Sequence, residues 1–587
     1  MPLWRRKVER FLEANQLRLD EVDYYAIVTE PDGDEILAGG GLQGDIIKCI
    51  AVSEQLRDAH LSNRLISHLI SEAAQRGHHS VKVFTKPQNR QVFESLGFRL
   101  VGEAPLAILM ENGHGMENYK KYLQDISLSS LPSPLSTKIG VIVMNANPFT
   151  LGHKYLIEKA AAEVDHLFII PVKEERSLFP YAERKAMIEA ACGDMRNVVI
   201  CDGSDYAISA ATFPTYFLKQ LSDAADTQML LDIDIFCRHI APALGATVRF
   251  VGSEPNDALT RRYNELLAEQ LPKHGLRLKE IPRLQTEQTP ISATTVRSLM
   301  AQGMFVEATK LVPPTTIPYL LAHLACDALQ QELDTTPKPG LVDQHDSGAH
   351  ADMDYRLMQR SIHALRPYFV QLAQVAQQGP LTHPIISAIG IEAERAMLAT
   401  TGGVNTHRGA LFSMGLAIVA AGSSLSEYSE FSEYSDYSDY SEHSDFSLQS
   451  AIAQLAQTFP DTQGTHGSRA VSQYQAKGAL AMAREGYEQL FSDWQPFLRN
   501  LKQQGDPYAH HKTLLRIMSQ LDDTNILHRC GAEVASRVKA EAADMLAHFS
   551  TDALDDMNRR YSAENISPGG SADMLALTIF TNAIMTR

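Results

Sequence analysis

The chain has 587 residues, too many for one hydrophobic core, and three or four domains are expected. It is 44% hydrophobic and 21% charged, the make-up of a soluble globular protein, and no run of about 18 apolar residues reads as a membrane span. A net charge of −17 disfavours nucleic-acid binding, which depends on neutralising phosphates with Lys and Arg. The six cysteines stand far apart with no C-x-x-C spacing, which argues against a disulfide framework or zinc site and for a reducing cytoplasm. The N-terminal MPLWRRKVERFLEANQ is basic but has no apolar core, so it does not read as a signal peptide.

Residues 1–125 alternate strand-like and helical stretches. YYAIVTE, EILAGGGLQ, DIIKCIAVS and SVKVFTK predict strands, and LSNRLISHLISEAAQRG predicts an amphipathic helix, so an α/β domain is expected. The polar DISLSSLPSPLSTK reads as a linker over 126–138. From 139 to 318 the near-continuous apolar runs IGVIVMN, HLFIIPV, NVVICDG, ATVRFVG and LKEIPRL alternate with helical stretches, predicting a Rossmann-like parallel sheet covered on both faces. From 319 to 587 β-branched runs give way to long Ala-, Leu- and Gln-rich helical patterns, predicting an all-α domain. Within a low-complexity insert at 423–447, residues 427–446 repeat the triplet [ED]-[YFH]-S and contain seven of the chain's acids. A period of three fits neither a helix face nor strand alternation, so a disordered surface loop is expected there.

Two sets of residues carry chemistry. The first is the turn after IGVIVMN, which opens a helix and sets free backbone N–H groups and the positive helix end at a strand's carboxyl edge, where phosphates bind. On it, Gly152 would admit a triphosphate to the backbone, and Thr150 and His153 would donate to α-phosphate oxygens as charge develops. Asn145, Asn147 and Gly252 are further nucleotide-binding candidates, and Lys173, after the second strand, would neutralise phosphate charge. Ser292, Thr294 and Arg297 in ISATTVRSLM join them. The second set lies at turns between the C-terminal helices. Lys338 and Asp343 come from TPKPGLVD, Asp352 from GAHADM, His407 and Arg408 from GGVNTHRG, Asp523 from LDDTN, and Ser571 and Asp573 from SPGGSADML. Some of these would serve as helix caps. Together they would form a triphosphate site, with Asp343, Asp352 and Asp523 as base or Mg²⁺ ligands and Lys338, His407 and Arg408 on phosphate oxygens.

The T-x-G-H of 150–153 with ISATTVR resembles the nucleotidyltransferase superfamily of that signature. More narrowly, MNANPFTLGHKYLI, VKEERSLFPYAER, ISAATFPTYFLK and APALGATVRFVGSEP resemble the [citrate (pro-3S)-lyase] ligase family over residues 1 to about 320. The resemblance implies that acetate attacks the α-phosphate of ATP, with Mg²⁺ on the triphosphate, and that acetyl-adenylate acylates the prosthetic-group thiol of the lyase's acyl carrier subunit. It also implies an N-acetyltransferase-like (GNAT) fold for 1–125. That fold's R-x-x-G-x-[GA] pyrophosphate loop is here Arg57-Asp58-Ala59-His60-Leu61-Ser62, without its glycine, so a recognition role for the pantetheine-like arm is expected rather than acetyl transfer. Residues 325–587 resemble triphosphoribosyl-dephospho-CoA synthase, which implies that the 2′-hydroxyl of 3′-dephospho-CoA attacks the anomeric carbon of ATP and adenine leaves. The expected whole is a bifunctional citrate lyase maturation enzyme acting on ATP, acetate, 3′-dephospho-CoA and the carrier. The alternatives are a maturation factor for a malonate decarboxylase-type carrier, or a carrier-docking scaffold with one active head.

Overall fold

The fold, taken from a computed structural model, is described for residues 3–29, 35–53, 59–130, 138–175, 177–207, Phe213, Phe217, 222–254, 257–286, 289–379, 383–431, 448–461 and 476–585. The chain forms two compact units, residues 1–291 and 292–587.

The first unit holds two large sheets and a two-stranded one that pairs Gln285–Thr286 with Thr289–Pro290. After α1 (Leu3–Ala14) come β1 (Tyr24–Thr29), β2 (Ile36–Gln43), β3 (Ile46–Val52), α2 (Ala59–Gln75), β4 (Val81–Thr85), β5 (Arg99–Ala104), β6 (Ala107–Asn112) and α3 (Gly115–Ser130). The sheet order is β1-β2-β3-β4-β6-β5, with β3 and β4 parallel and the other neighbours antiparallel. Leu65, Ile66, Leu69 and Ala73, at helical spacing along α2, are buried against one face of this sheet. α3 continues through Ser130, into residues the sequence assigns to a linker. Buried Leu123 and Ser127 explain the continuation, and the Ser127 hydroxyl donates to the Leu244 carbonyl at 3.1 Å.

The second sheet follows: β7 (Ile139–Met144), α4 (Leu151–Ala161), β8 (His166–Pro171), α5 (Tyr181–Cys192), β9 (Val198–Ile200), α6 (Ser222–Ile235), β10 (Val248–Gly252) and β11 (Arg277–Ile281). Its order is β11-β10-β7-β8-β9 and every neighbouring pair is parallel, as the unbroken apolar runs require. The chain steps outward from β7 to β8 and β9, then returns to β7's other side with β10. The topological switch point therefore lies outside the carboxyl ends of β7 and β10. α6 serves both sheets: Leu231 and Ile235 belong to one apolar core, Met229 and Ile233 to the next. A Cβ on Gly102 of β5 would stand 2.4 Å from Ile235, so that contact needs glycine.

The described elements of the second unit are all helices. Its elements include α7 (Ala293–Ala301), α8 (Phe305–Thr309), α9 (Ile317–Asp334), α10 (Tyr355–Ala376), α11 (Arg408–Phe431), α12 (Ala509–Gln520), α13 (Thr524–Ala547) and α14 (Gly569–Met585). Buried residues run around all sides of α14, which packs against α9, α11 and α12 as the central helix. The Arg408–Leu425 stretch of α11 has the length and composition of a membrane span, but two-thirds of it is buried in this helical core. The triplet repeat beyond Phe431 lies outside the described residues, as do Arg57 and Asp58 and the side chains of Ala59 and His60.

Candidate functional site

The turn after β7 is built around a capping box. Thr150 is the N-cap of α4, and its Oγ1 accepts from the His153 N–H at 3.3 Å. In return, His153 Nδ1 accepts from the Thr150 backbone N–H at 3.0 Å and lies 2.9 Å from Oγ1. A backbone N–H can only donate, so Nδ1 is an acceptor and the ring proton sits on Nε2. Burial, reinforced by the Arg283 guanidinium, pushes the ring's pKa down to about 4. Phe149 stacks on it, with ring centres 5.6 Å apart. The result is a neutral imidazole with a fixed donor nitrogen at the start of a helix, at the switch point of a parallel sheet. That combination suits stabilising charge on a phosphate oxygen.

Several expected roles change in this geometry. Thr150 is 1% exposed and its hydroxyl faces the ring, so it sets His153 rather than reaching a phosphate. A Cβ on Gly152 would lie 2.9 Å from the Ile291 carbonyl oxygen, so the protein's own backbone takes the room expected for a triphosphate. A Cβ on Gly252, at the end of β10, would meet no atom within 4 Å, which leaves that strand end approachable. Asn145 and Asn147 brace the adjoining loop: the Asn145 side chain reaches Ser177 and accepts from Arg184, and Asn147 Oδ1 accepts from Phe179 N–H at 3.1 Å. Lys173 is exposed at the carboxyl edge and stands 3.3 Å from Asp205.

Arg184 is the organiser that sequence reading missed. It is fully buried and donates to the carbonyls of Asn145 (2.7 Å), Val172 (2.9 Å), Glu174 (2.7 Å) and Phe179 (3.0 Å). In the sequence it closes the VKEERSLFPYAER stretch, which was the available signal, but its residue type alone does not separate it from a solvent-facing charge. Arg283 was also missed; its Nε donates to the Ser253 carbonyl at 2.7 Å and its guanidinium pairs with Glu254.

Ser292, Thr294 and Arg297 open α7 in the second unit. Ser292 is the N-cap and accepts from Thr295 N–H at 3.0 Å, while Arg297 donates to the Thr294 hydroxyl at 3.1 Å. Burial lowers the Arg297 pKa.

A second concentration of charge lies deeper in that unit. Lys338 is 1% exposed and its ammonium is 2.5 Å from Glu332, another buried residue. Asp343, also buried, accepts from the backbone N–H groups of Lys338 (3.0 Å), His345 (2.7 Å) and Asp346 (3.2 Å). Asp523 caps α13 through Asn525 N–H at 2.9 Å and accepts from both the N–H (2.8 Å) and the hydroxyl (3.0 Å) of Ser571. His407 is buried with Nδ1 2.8 Å from the Ser361 hydroxyl, and its Nε2 has no hydrogen-bond partner. Burial, with Lys338 nearby, pushes its pKa down to about 3. Glu332 and Ser361 belong with these residues and are absent from the sequence-derived set.

Two expected members stand apart. Arg408 is exposed and pairs with Glu394 at 3.1 Å. Asp352 is exposed, 4.0 Å from His350, whose Nε2 is 2.9 Å from Ser567 Oγ. The expected metal set of Asp343, Asp352 and Asp523 does not assemble: the first and last bind backbone N–H groups and the second faces solvent. Among the described residues no group of three His, Cys, Asp or Glu side chains is placed to hold a metal ion.

The citrate lyase ligase C-terminal domain profile matches residues 139–320, and that of ATP:dephospho-CoA triphosphoribosyl transferase matches 318–587. The [citrate [pro-3S]-lyase] ligase of Haemophilus influenzae is 39% identical over 319 residues, 53% of this chain and 94% of that protein. The Escherichia coli K12 ligase is 37% identical over 56% of this chain and 94% of its own length. A probable 2-(5''-triphosphoribosyl)-3'-dephosphocoenzyme-A synthase of Pseudomonas syringae is 35% identical over 283 residues, 46% of this chain and 93% of that protein. The first three relatives named are thus each matched over nearly their full length, and the two profiles meet end to end. The chain belongs to the [citrate (pro-3S)-lyase] ligase family over its front half and to the triphosphoribosyl-dephospho-CoA synthase family over its back half.

Proposed function

We propose that the chain is a bifunctional enzyme of citrate lyase maturation. The back half joins ATP to 3′-dephospho-CoA, forming 2′-(5″-triphosphoribosyl)-3′-dephospho-CoA and releasing adenine. The front half uses ATP to activate acetate as acetyl-adenylate and acylates the thiol of the finished group on the lyase's acyl carrier subunit. The observation that supports the front-half chemistry best is the neutral His153, held through Nδ1 with its donor nitrogen at a helix start.

In this reading an acetate oxygen bonds to the α-phosphorus while the bond to pyrophosphate breaks. His153 Nε2–H donates to an α-phosphate oxygen as its charge grows, and Lys173 neutralises the triphosphate. Mg²⁺ accompanies ATP; among the described residues no group of carboxylates is placed to hold it. Residues 1–125, with their GNAT-like strand and helix sequence, recognise the pantetheine-like arm, and the cytoplasm supplies both substrates. The boundary between the heads lies at about 318, where the two family profiles meet.

The direct test is purified protein with ATP, Mg²⁺ and 3′-dephospho-CoA, read by mass spectrometry. Stoichiometric adenine and ribosylated product are expected; their absence in folded protein sinks the back-half assignment. Acetate- and carrier-dependent pyrophosphate release tests the front half separately.

A further inference from the structure

Lys173, at the carboxyl edge of β8, belongs to a succession of charges that begins in the other large sheet. Its ammonium stands 3.3 Å from Asp205 Oδ1, in the turn after β9. The second oxygen of that carboxylate, Oδ2, lies 3.9 Å from the ammonium of Lys82 in β4 of the N-terminal sheet. Lys82 pairs in turn with Asp45 at 2.7 Å, so the charges alternate in sign from Lys173 through Asp205 and Lys82 to Asp45. The Lys82 side chain is 5% exposed, against 55% for Asp205 and 40% for Lys173. A buried ammonium needs carboxylate partners to offset its lost hydration, so Lys82 is the fixed point of the succession.

The turn that carries Asp205 is seated on both sheets. A Cβ on Gly203 would stand 2.1 Å from the Pro171 carbonyl oxygen, so glycine is needed for the turn to pack on the end of β8, two residues before Lys173. The Gly203 N–H donates to the Tyr181 hydroxyl at 2.7 Å. On the other side of Asp205, buried Tyr206 donates its hydroxyl to buried Glu111 of β6, and the Lys82 ammonium lies 4.9 Å from the centre of its ring. The backbone on either side of Asp205 is therefore anchored, and its carboxylate is left between the two lysines. That arrangement matters for Lys173, whose flexible four-carbon stem must lose rotamer freedom to hold a phosphate. A partner in the free protein removes part of that freedom in advance.

We propose that Asp205 is a positioning residue of the ligase head: it holds Lys173 ready for the triphosphate and is itself held by Lys82, so the N-terminal sheet completes the phosphate site of the parallel sheet. The proposal rests on the reading of Lys173 as the cation that neutralises the triphosphate. Lys82 offsets the charge of Asp205, so the carboxylate orients Lys173 more than it competes with phosphate for it. The N-terminal domain then takes part in ATP use, beyond any recognition of the pantetheine-like arm.

The test is the KM for ATP in acetate- and carrier-dependent pyrophosphate release by the full chain, with kcat read alongside. A partly exposed ion pair that orders one phosphate ligand is a small effect, so Asp205→Asn should raise KM by about two- to fivefold and leave kcat within about twofold. Lys173→Met should raise KM as well, and adding Asp205→Asn to it should change nothing further, because no cation remains to be positioned. Lys82→Met should raise KM in the parent and have no effect on KM in the Asp205→Asn background. Should Lys82→Met unfold the N-terminal sheet, the cycle between Asp205 and Lys173 decides alone, since Asp205→Asn is an exposed, isosteric change. A KM that falls or stays constant in Asp205→Asn, or additive effects of Asp205→Asn and Lys173→Met, would overturn the proposal. An unchanged KM in Lys173→Met would instead overturn the reading of Lys173 beneath it, and absence of pyrophosphate release from unsubstituted protein would overturn the ligase assignment.

Discussion

His153 and His407 show how one residue type can be prepared in two ways. His153 has Nδ1 occupied by its own helix cap, so Nε2 is a committed donor. His407 has Nδ1 held by a serine hydroxyl, and Nε2 is buried without a partner. His153→Ala should lower acetate-dependent pyrophosphate release by about 10²–10³-fold, the range for losing one preorganised donor, while adenine release from the back half stays unchanged. Both activities falling together would refute separate sites. The same histidines make stability depend on pH. Their folded-state values, about 4 and about 3, lie below the 6.5 of an unfolded histidine. As pH falls below 6.5 the unfolded chain takes up protons that the folded chain refuses. Stability present above pH 6.5 is therefore lost progressively down through pH 4 and 3. Calorimetry from pH 7.5 to 4.5 should show a falling unfolding temperature, and His407→Asn should flatten that slope; an unchanged slope would contradict the burial argument.

At the scale of elements, the loop after β8 is held by a buried cation rather than by regular structure. Arg184→Met would leave the carbonyls of Asn145, Val172, Glu174 and Phe179 without their donor. The expected cost is about 3–5 kcal/mol, read as a lower denaturation midpoint, with front-half activity lost and adenine release retained. A variant as stable as the parent would show that water replaces the guanidinium freely. This element also marks where sequence reading stops. The strands β7, β8 and β10 were legible because burial on both faces demands unbroken apolar runs, and the T-x-G-H turn because a helix start capped by Thr150 and His153 constrains residue type at fixed spacing. The end of α3 was misread because serines that favour turns are also tolerated in a helix when one of them, Ser127, finds a buried carbonyl. Arg184 and Glu332 were not singled out as site residues, since partners distant in sequence determine whether a charge is buried. Thr150 was placed at the right turn but given a substrate that its hydroxyl, turned to His153, does not face.

For the whole molecule, the two ways of dividing the chain disagree, and the disagreement is informative. Compactness divides it after Ile291, whereas the family profiles meet at 318–320. Residues 292–317 therefore belong to the front half by ancestry and to the back unit by packing. They contain Ser292, Thr294 and Arg297, and also Phe305, Ala308 and Val312, which are buried, with α8 packed against the central helix α14. No single cut should preserve both heads. A fragment of 292–587 should fold and release adenine from ATP and 3′-dephospho-CoA. One of 318–587 loses the Phe305 contact, worth about 1.5–3 kcal/mol for a buried side chain of that size, and should melt at a lower temperature. A fragment of 1–291 lacks the end of the ligase profile, which runs to 320, and should lose acetate-dependent pyrophosphate release, and 1–318 should restore some activity only if α7 and α8 can order without α14. Parallel melting and activity assays on the four fragments decide the matter. Equal stability of 292–587 and 318–587 would mean that the shared segment serves the ligase alone, and full ligase activity in 1–291 would show that 292–318 is dispensable to the front half.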